Sequence, residues 1–220
     1  MTLNRPPIRA IYCIGRNYKS HARELGNALP TSPVVFLKSP SALRGFADHG
    51  QIAYPVEAFD HELELVLHIG SAPQAGETNL LRHVDKIALG LDLTRREVQN
   101  RLKKEGLPWT EAKSFRGAAV LSEFVPLPQR GNASAVLELL NTCEFTLWVN
   151  GDQRQHGSPR DMTFNAEALL RTISDSHGLF PGDIVFTGTP EGVGPLRVGD
   201  RFRVQLIMAG KSTLDEDGVL

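Results

Sequence analysis

Two glutamates one residue apart stand out in the segment DHELELVLHIG (residues 60–70), which is otherwise largely apolar. Side chains of a strand alternate between faces, so Glu62 and Glu64 point the same way with backbones about 7 Å apart. A third acid, Asp92, lies in the apolar segment IALGLDLT (residues 87–94). Because a buried carboxylate is costly unless it is paired or bound to a metal, these acids favour a site for Mg²⁺ or Mn²⁺.

Taken alone, the two glutamates also suit a half-buried strand whose acidic face lies in water. Asp92 is the residue that shifts the interpretation towards a metal site, since three carboxylates from separate elements suit a hard dication. His61 and His68 lie in the same strand, but their spacing does not match a zinc site. His61 falls on the leucine face, where we expect a hydrogen-bonded core or rim histidine.

A second group of candidate residues lies near the N-terminus. His21 and Glu24 are three residues apart and share a face if this segment is helical. Such a pair can act as a general base with its orienting acid, although an ordinary surface pair is the alternative. Lys113, in LPWTEAKSF (residues 107–115), can stabilise a developing oxyanion or pack its stem as a surface lysine.

Most segments around these residues have the pattern of strands. Apolar runs predict strands within residues 8–15, 33–43 and 61–70, and Asn150-Gly151 predicts a tight hairpin turn. Amphipathic patterns with glycine stops predict helices within residues 17–27, 95–109 and 164–179. We expect a mainly β fold with short helices at its edges.

Composition narrows the class of protein. A length of 220 residues suits a single domain over residues 1–220. The 24 basic and 25 acidic residues nearly balance, so we expect neither a nucleic-acid nor a membrane partner. No apolar run approaches the roughly 20 residues of a membrane span, and the N-terminus lacks the pattern of a secretory signal. Cys13 and Cys143 suit reduced core positions, so we expect a cytoplasmic protein.

The chain resembles the fumarylacetoacetate hydrolase family, in its short branch of acylpyruvate hydrolases and oxaloacetate-handling enzymes. Similar segments follow one another in the family's order across nearly the whole chain, which makes the match specific. They are IGRNYKSHARELG, VVFLKSPSAL, DHELELVLHIG, ALGLDLTRREVQNRLKKEGLPWTEAKSF, LWVNGDQRQ and GDIVFTGTPEGVGPLRVGD.

The resemblance implies the family's mixed β-sandwich roll, usually as a homodimer, and Mg²⁺ or Mn²⁺ as cofactor. It also implies roles for nine residues, including a catalytic dyad on a lid segment and substrate contacts at the mouth and at the keto-acid end. The metal ligands, the catalytic residues and the substrate contacts are, in turn, Glu62, Glu64 and Asp92; His21, Glu24 and Lys113; Arg16, Gln99 and Thr189.

As its first implication, the resemblance points to a hydrolase that cleaves a carbon–carbon bond in an acylpyruvate, such as fumarylpyruvate or acetylpyruvate. The products are pyruvate and a carboxylic acid. The alternatives at the same site are an oxaloacetate tautomerase or decarboxylase, and a hydroxymuconate-type isomerase or decarboxylase. All act on a small 2-keto acid. A non-catalytic metal-binding protein is the alternative from another class, and His21, Glu24 and Lys113 together argue against it.

Overall fold

The computed structural model describes residues 7–24, 29–46, 48 and 58–220, without the side chains of residues 21–23 and 58. In these ranges the α-helices are α1 (Lys19–Glu24), α2 (Arg96–Glu105), α3 (Thr110–Lys113), α4 (Ala133–Leu140) and α5 (Ala166–His177). Short 3-10 turns cover Pro40–Ala42, Leu80–His83 and Pro159–Asp161. In this part of the chain no helix has both the length and the apolar character needed to cross a membrane.

Strands make up most of the remaining described structure. They are β1 (Ile11–Gly15), β2 (Val34–Lys38), β3 (Leu43–Gly45), β4 (Ala58–His61), β5 (Leu63–Ile69), β6 (Val84–Asp92), β7 (Ala119–Leu121), β8 (Val125–Pro126), β9 (Glu144–Val149), β10 (Asp152–Gly157), β11 (Ile184–Phe186), β12 (Gly194–Arg197), β13 (Arg201–Met208) and β14 (Lys211–Val219). The mainly β class with short helices that the sequence predicts is therefore confirmed.

The strands form a large curled sheet and a smaller one. The large sheet has the order β2-β1-β11-β5-β6-β7-β3, with β8 added beside β6. It is mixed, because β1 runs parallel to β11 and β3 parallel to β7, whereas β5 and β6 are antiparallel. The smaller sheet has the order β10-β9-β13-β14, and β12 pairs with β4. β5 and β6, which carry the predicted acids, therefore lie side by side at the centre of the large sheet.

Both faces of β5 are buried. Leu63, Leu65 and Leu67 face the main core, which also contains apolar side chains of the smaller sheet and of α5. Val66 faces a second apolar cluster on the other side of the sheet. Glu64, on the same face as Val66, is only 1% exposed, so the interpretation of a water-facing acidic strand is wrong.

The predicted hairpin turn joins β9 to β10. Asn150 and Gly151 both have positive φ, 52° and 91°, as a two-residue hairpin turn requires. The predicted helices are also present, and the glycine stop predicted for the first of them lies outside the described residues. α5 is capped by the Asn165 side chain, which accepts from the Ala168 amide at 3.0 Å. These local predictions are confirmed because each depends on residues adjacent in the chain.

Gly90 in β6 tests how tightly the second cluster is packed. A Cβ at this position would lie 2.4 Å from Phe186 Cε1 and 2.9 Å from Val66 Cγ2. We expect Gly90→Ala to lower the free energy of unfolding by about 1–3 kcal/mol, the usual cost of overpacking a core. Urea unfolding would measure the change.

Gly15→Ala is the matched control, because Gly15 is also a strand glycine without a positive φ. Its added Cβ would meet Val34 at 3.8 Å, an ordinary contact distance. A cost for Gly15→Ala equal to that for Gly90→Ala would contradict the packing argument.

Candidate functional site

Three buried carboxylates meet where β5 begins and β6 ends. Glu62 directly precedes β5 and Asp92 is the last residue of β6, and the Asp92 amide donates to the Glu62 carbonyl at 2.9 Å. Glu64 is paired with Gly90 on the neighbouring strand. One carboxylate oxygen from each of the three acids lies within 4.8 Å of the others. The structure thus brings together the three predicted metal ligands, whose role as ligands stays a prediction.

Basic side chains surround these acids. The Lys113 ammonium donates to Glu62 Oε2 at 2.7 Å and to Asp92 Oδ2 at 2.8 Å. Lys38 Nζ lies 2.7 Å from Asp92 Oδ1, and Arg96 donates to Glu62 Oε1 at 2.5 Å. The negative charge of the cluster is therefore compensated by nearby cations, as buried charge requires.

The ionisation of the cluster responds to burial and to its own charges. Burial raises the pKa of Glu64 well above its usual range, and the negative charges of Asp92 and Glu62 raise it further. The Gly188 amide, which donates to Glu64 at 2.6 Å, opposes this shift. Burial alone would lower the pKa of Lys113, but Asp92 and Glu62 raise it, so Lys113 is an ammonium.

The acids fit a hard dication. Asp92 Oδ1 is buried and receives no directed hydrogen bond from the described residues, although the Lys38 ammonium is near. Among the described residues, a single backbone amide donates to Glu64, in a place where burial penalises its charge. A dication at this point would relieve the repulsion among three carboxylates, and oxygen donors suit Mg²⁺ or Mn²⁺.

A cleft opens beside the acids and contains the predicted substrate contacts. Arg16, Gln99 and Thr189 line it together with Lys113. Gln99 Oε1 accepts from Arg96 at 2.7 Å, so the Gln99 amide nitrogen is the end available to a ligand. The structure therefore places these residues next to the acids, and their substrate contacts stay predictions.

A buried glutamine, Gln155, holds Thr189 in place. The Thr189 hydroxyl donates to the Leu63 carbonyl at 2.8 Å and accepts from Gln155 Nε2 at 2.8 Å. Gln155 Oε1 lies 3.0 Å from His61 Nδ1, and burial lowers the pKa of His61. His61 is therefore a hydrogen-bonded core histidine, as the sequence predicts.

The structure describes only part of the proposed dyad of His21 and Glu24. The backbone of His21 lies in α1, but its side chain lies outside the described residues. The Glu24 carboxylate accepts from the Gly192 amide, at 3.2 and 3.3 Å to its two oxygens. This contact ties α1 to the loop that follows Thr189. The pairing of His21 with Glu24 stays a prediction.

Sequence reasoning missed three residues that hold this site together: Lys38, Arg96 and Gln155. Lys38 ends the apolar strand VVFLK and is 1% exposed. Asp92 was selected as a charged residue within an apolar segment, and the same criterion could have selected Lys38. Arg96 and Gln155 lie in polar segments, and no local pattern distinguishes them from surface residues.

The chain is similar to known proteins over almost its whole length. Residues 10–215 match the family described as fumarylacetoacetate (FAA) hydrolase, C-terminal. An oxaloacetate tautomerase, FAHD1, of Arabidopsis thaliana is 39% identical over 94% of this chain and 87% of its own length. Oxaloacetate tautomerase YcgM of Escherichia coli is 38% identical over 90% and 88%.

The chain is also similar in fold to a solved hydrolase structure. It is the fumarylpyruvate hydrolase of Pseudomonas aeruginosa in complex with Mn²⁺ and pyruvate. Its TM-score is 0.81 and its identity 32%, with 97% of this chain and 89% of that chain covered.

Proposed function

Because the chain belongs to the fumarylacetoacetate hydrolase family, we propose that this enzyme is a metal-dependent oxaloacetate tautomerase. The observation that carries the proposal is the Lys113 ammonium, buried in the cleft between two of the three clustered acids. The sequence analysis placed acylpyruvate hydrolysis first. The tautomerase names of relatives 38–39% identical favour the alternative.

The reaction needs little from the protein beyond charge stabilisation and proton transfer. In converting the enol to the keto form, the hydroxyl at C2 loses its proton and C3 gains one. A bound Mg²⁺ or Mn²⁺ supplies Lewis-acid polarisation of the keto-acid oxygens. Lys113 has three N–H donors, and two are held by Glu62 and Asp92. The third can stabilise the negative charge that develops on the substrate oxygen.

The remaining side chains orient the substrate. The Gln99 amide nitrogen can donate to the keto-acid carboxylate, and Gln155 fixes the Thr189 hydroxyl beside it. We propose His21, oriented by Glu24, as the group that moves the proton at C3. The homodimer expected from the family resemblance is likewise a proposal, which sedimentation velocity would test.

His21→Ala tests the proton-transfer role. We expect kcat to fall by about 100- to 10,000-fold, the usual contribution of a general acid–base group. The affinity for Mn²⁺ should stay within a factor of about two, since the proposed ligands are the three clustered acids. Titration calorimetry would measure the affinity, and loss of Mn²⁺ binding would show that the assigned role is wrong.

Acylpyruvate hydrolysis remains the second candidate. It is favoured by the structural similarity to the hydrolase solved with Mn²⁺ and pyruvate. Here His21 would activate a water that attacks the distal carbonyl, and the carbon–carbon bond would break to release pyruvate and a carboxylic acid.

One set of substrates separates the two activities. The Mn²⁺-loaded protein would be given enol-oxaloacetate, acetylpyruvate and fumarylpyruvate, each followed by ultraviolet absorbance of its enol form. We expect rapid ketonisation of enol-oxaloacetate, well above the rate in buffer with Mn²⁺ alone. Release of pyruvate from an acylpyruvate without ketonisation of oxaloacetate would reverse the assignment.

A further inference from the structure

Two basic residues in the cleft have no acidic partner among the residues that the structure describes, unlike the other cations there. Arg96 and Lys113 are each bound to carboxylates. Arg16 and Lys103 also line the cleft, but neither forms an ion pair with an acid among the described residues. They are half-buried, whereas Lys113 is buried, so they lie nearer the mouth. Within the described part of the chain, the mouth of the cleft therefore carries two positive charges that are not ion-paired.

Lys103 is placed on the cleft side of α2 by helix periodicity. It is four residues after Gln99, so the two side chains share a face of the helix. Its ammonium lies 5.3 Å from the centroid of the Trp109 ring, a cation–π distance that holds the amine near the cleft. Lys104, the next residue, is exposed and does not line the cleft.

The environment of Lys103 already disfavours its charge. Burial, together with the positive charges of Arg96, Arg16 and Lys113, lowers the pKa of Lys103 to about 8. An anion bound between Lys103 and Arg16 would offset part of this penalty. Arg16 itself has φ 59°, a conformation that non-glycine residues rarely adopt and that is often found at functional sites.

We propose that Lys103, with Arg16, binds the second carboxylate of a dicarboxylic 2-keto acid and so makes the site select diacids. The inference rests on the proposed function, which places the keto-acid end against the clustered acids and Lys113. The remaining carboxylate of a short diacid then reaches the mouth, where Lys103 and Arg16 supply donors for a charge-assisted hydrogen bond. Lys103 thus becomes a specificity-determining residue.

An apolar groove lies beside the cleft. Leu37 and Leu107 line this groove, which shares Phe36 and Trp109 with the cleft. Those two rings contact each other edge to face with centroids 5.8 Å apart, and so form the wall between the two spaces. An acyl chain would suit the groove, whereas a carboxylate suits the basic mouth.

The test compares two ligands of equal carbon number. Oxaloacetate and 2-oxobutyrate differ in that a methyl group replaces the second carboxylate. Their dissociation constants would be measured by titration calorimetry on Mn²⁺-loaded wild type, Lys103→Met, Lys103→Arg and the control Lys104→Met. We expect Lys103→Met to weaken the binding of oxaloacetate by about 10- to 100-fold, the usual effect of losing a charged hydrogen bond. Binding of 2-oxobutyrate should change less than twofold.

Lys103→Arg should keep most of the preference for the diacid, and Lys104→Met should keep all of it. Equal weakening of both ligands, or no change in their ratio, would overturn the inference. The measurement does not depend on turnover. An unchanged ratio with active ketonisation therefore rejects the role of Lys103 alone, whereas a changed ratio without ketonisation rejects the tautomerase.

Discussion

Replacing Lys113 by methionine is expected to lower kcat by about 100- to 10,000-fold while leaving the affinity for Mn²⁺ equal or higher. Turnover should fall because the ammonium that we propose to stabilise the charge on the substrate oxygen is gone. The metal affinity is kept because Lys113 donates to Glu62 and Asp92, and so its positive charge opposes a dication at those acids. Removing that charge lowers the electrostatic cost of bringing the dication in.

The experiment is specific because kcat is expected to fall while the affinity for Mn²⁺ stays equal or rises. Ketonisation of enol-oxaloacetate gives kcat, and titration calorimetry gives the Mn²⁺ affinity of the same preparation. Lys104→Met is the matched control, since Lys104 is an exposed lysine on α2. A Lys113→Met protein that loses Mn²⁺ along with turnover would mean that Lys113 organises the acids instead of acting on the substrate.

Glu64→Gln should produce the reverse pattern, with loss of the metal and an undisturbed fold. Mutation of a residue that hydrogen-bonds a metal ligand typically lowers the metal affinity by about 10- to 100-fold. Loss of a ligand itself should therefore lower the Mn²⁺ affinity by more than about 100-fold. Glutamine has the shape of glutamate, and its amide oxygen can still accept from the Gly188 amide. Turnover should fall with the metal at any practical Mn²⁺ concentration.

Stability without metal gives this variant a second, independent readout. Burial and the charges of Asp92 and Glu62 disfavour ionised Glu64, so its neutral replacement should leave the metal-free protein at least as stable as wild type. Added Mn²⁺ should raise the Tm of wild type and not that of Glu64→Gln. Glu138→Gln, an exposed change on α4, is the control. A Glu64→Gln protein with wild-type Mn²⁺ binding would exclude Glu64 as a ligand.

Among the elements absent from the sequence-based prediction, α4 and β14 were missed for different reasons. α4 follows Asn132, whose side chain caps it by accepting from the Ala135 amide at 3.2 Å, so a local helix signal was present and was overlooked. β14 is polar and acidic over most of its length, and no alternation of apolar residues marks it as a strand. It is a strand because β13 pairs with it along its length.

The sequence by itself determined the features that arise from one stretch of chain. The period of two in a strand places Glu62 and Glu64 on one face, and Asn150-Gly151 specifies the hairpin turn by its φ angles. The resemblance of six ordered segments also indicated the family. The strand period and the turn depend on neighbours in the chain, and the resemblance depends on the order of segments along it, so all could be reached without coordinates.

Only the tertiary structure decided which distant side chains meet. Asp92 reaches Glu62 through the register of β5 with β6, and Lys38 reaches Asp92 from β2, across a sheet in which β11 is inserted between β1 and β5. Strand order and register depend on how every element packs at once, which no local pattern contains. The same packing left Lys103 without an acidic partner among the described residues at the mouth of the cleft. The sequence shows which face of α2 carries Lys103, but it does not show what that face meets.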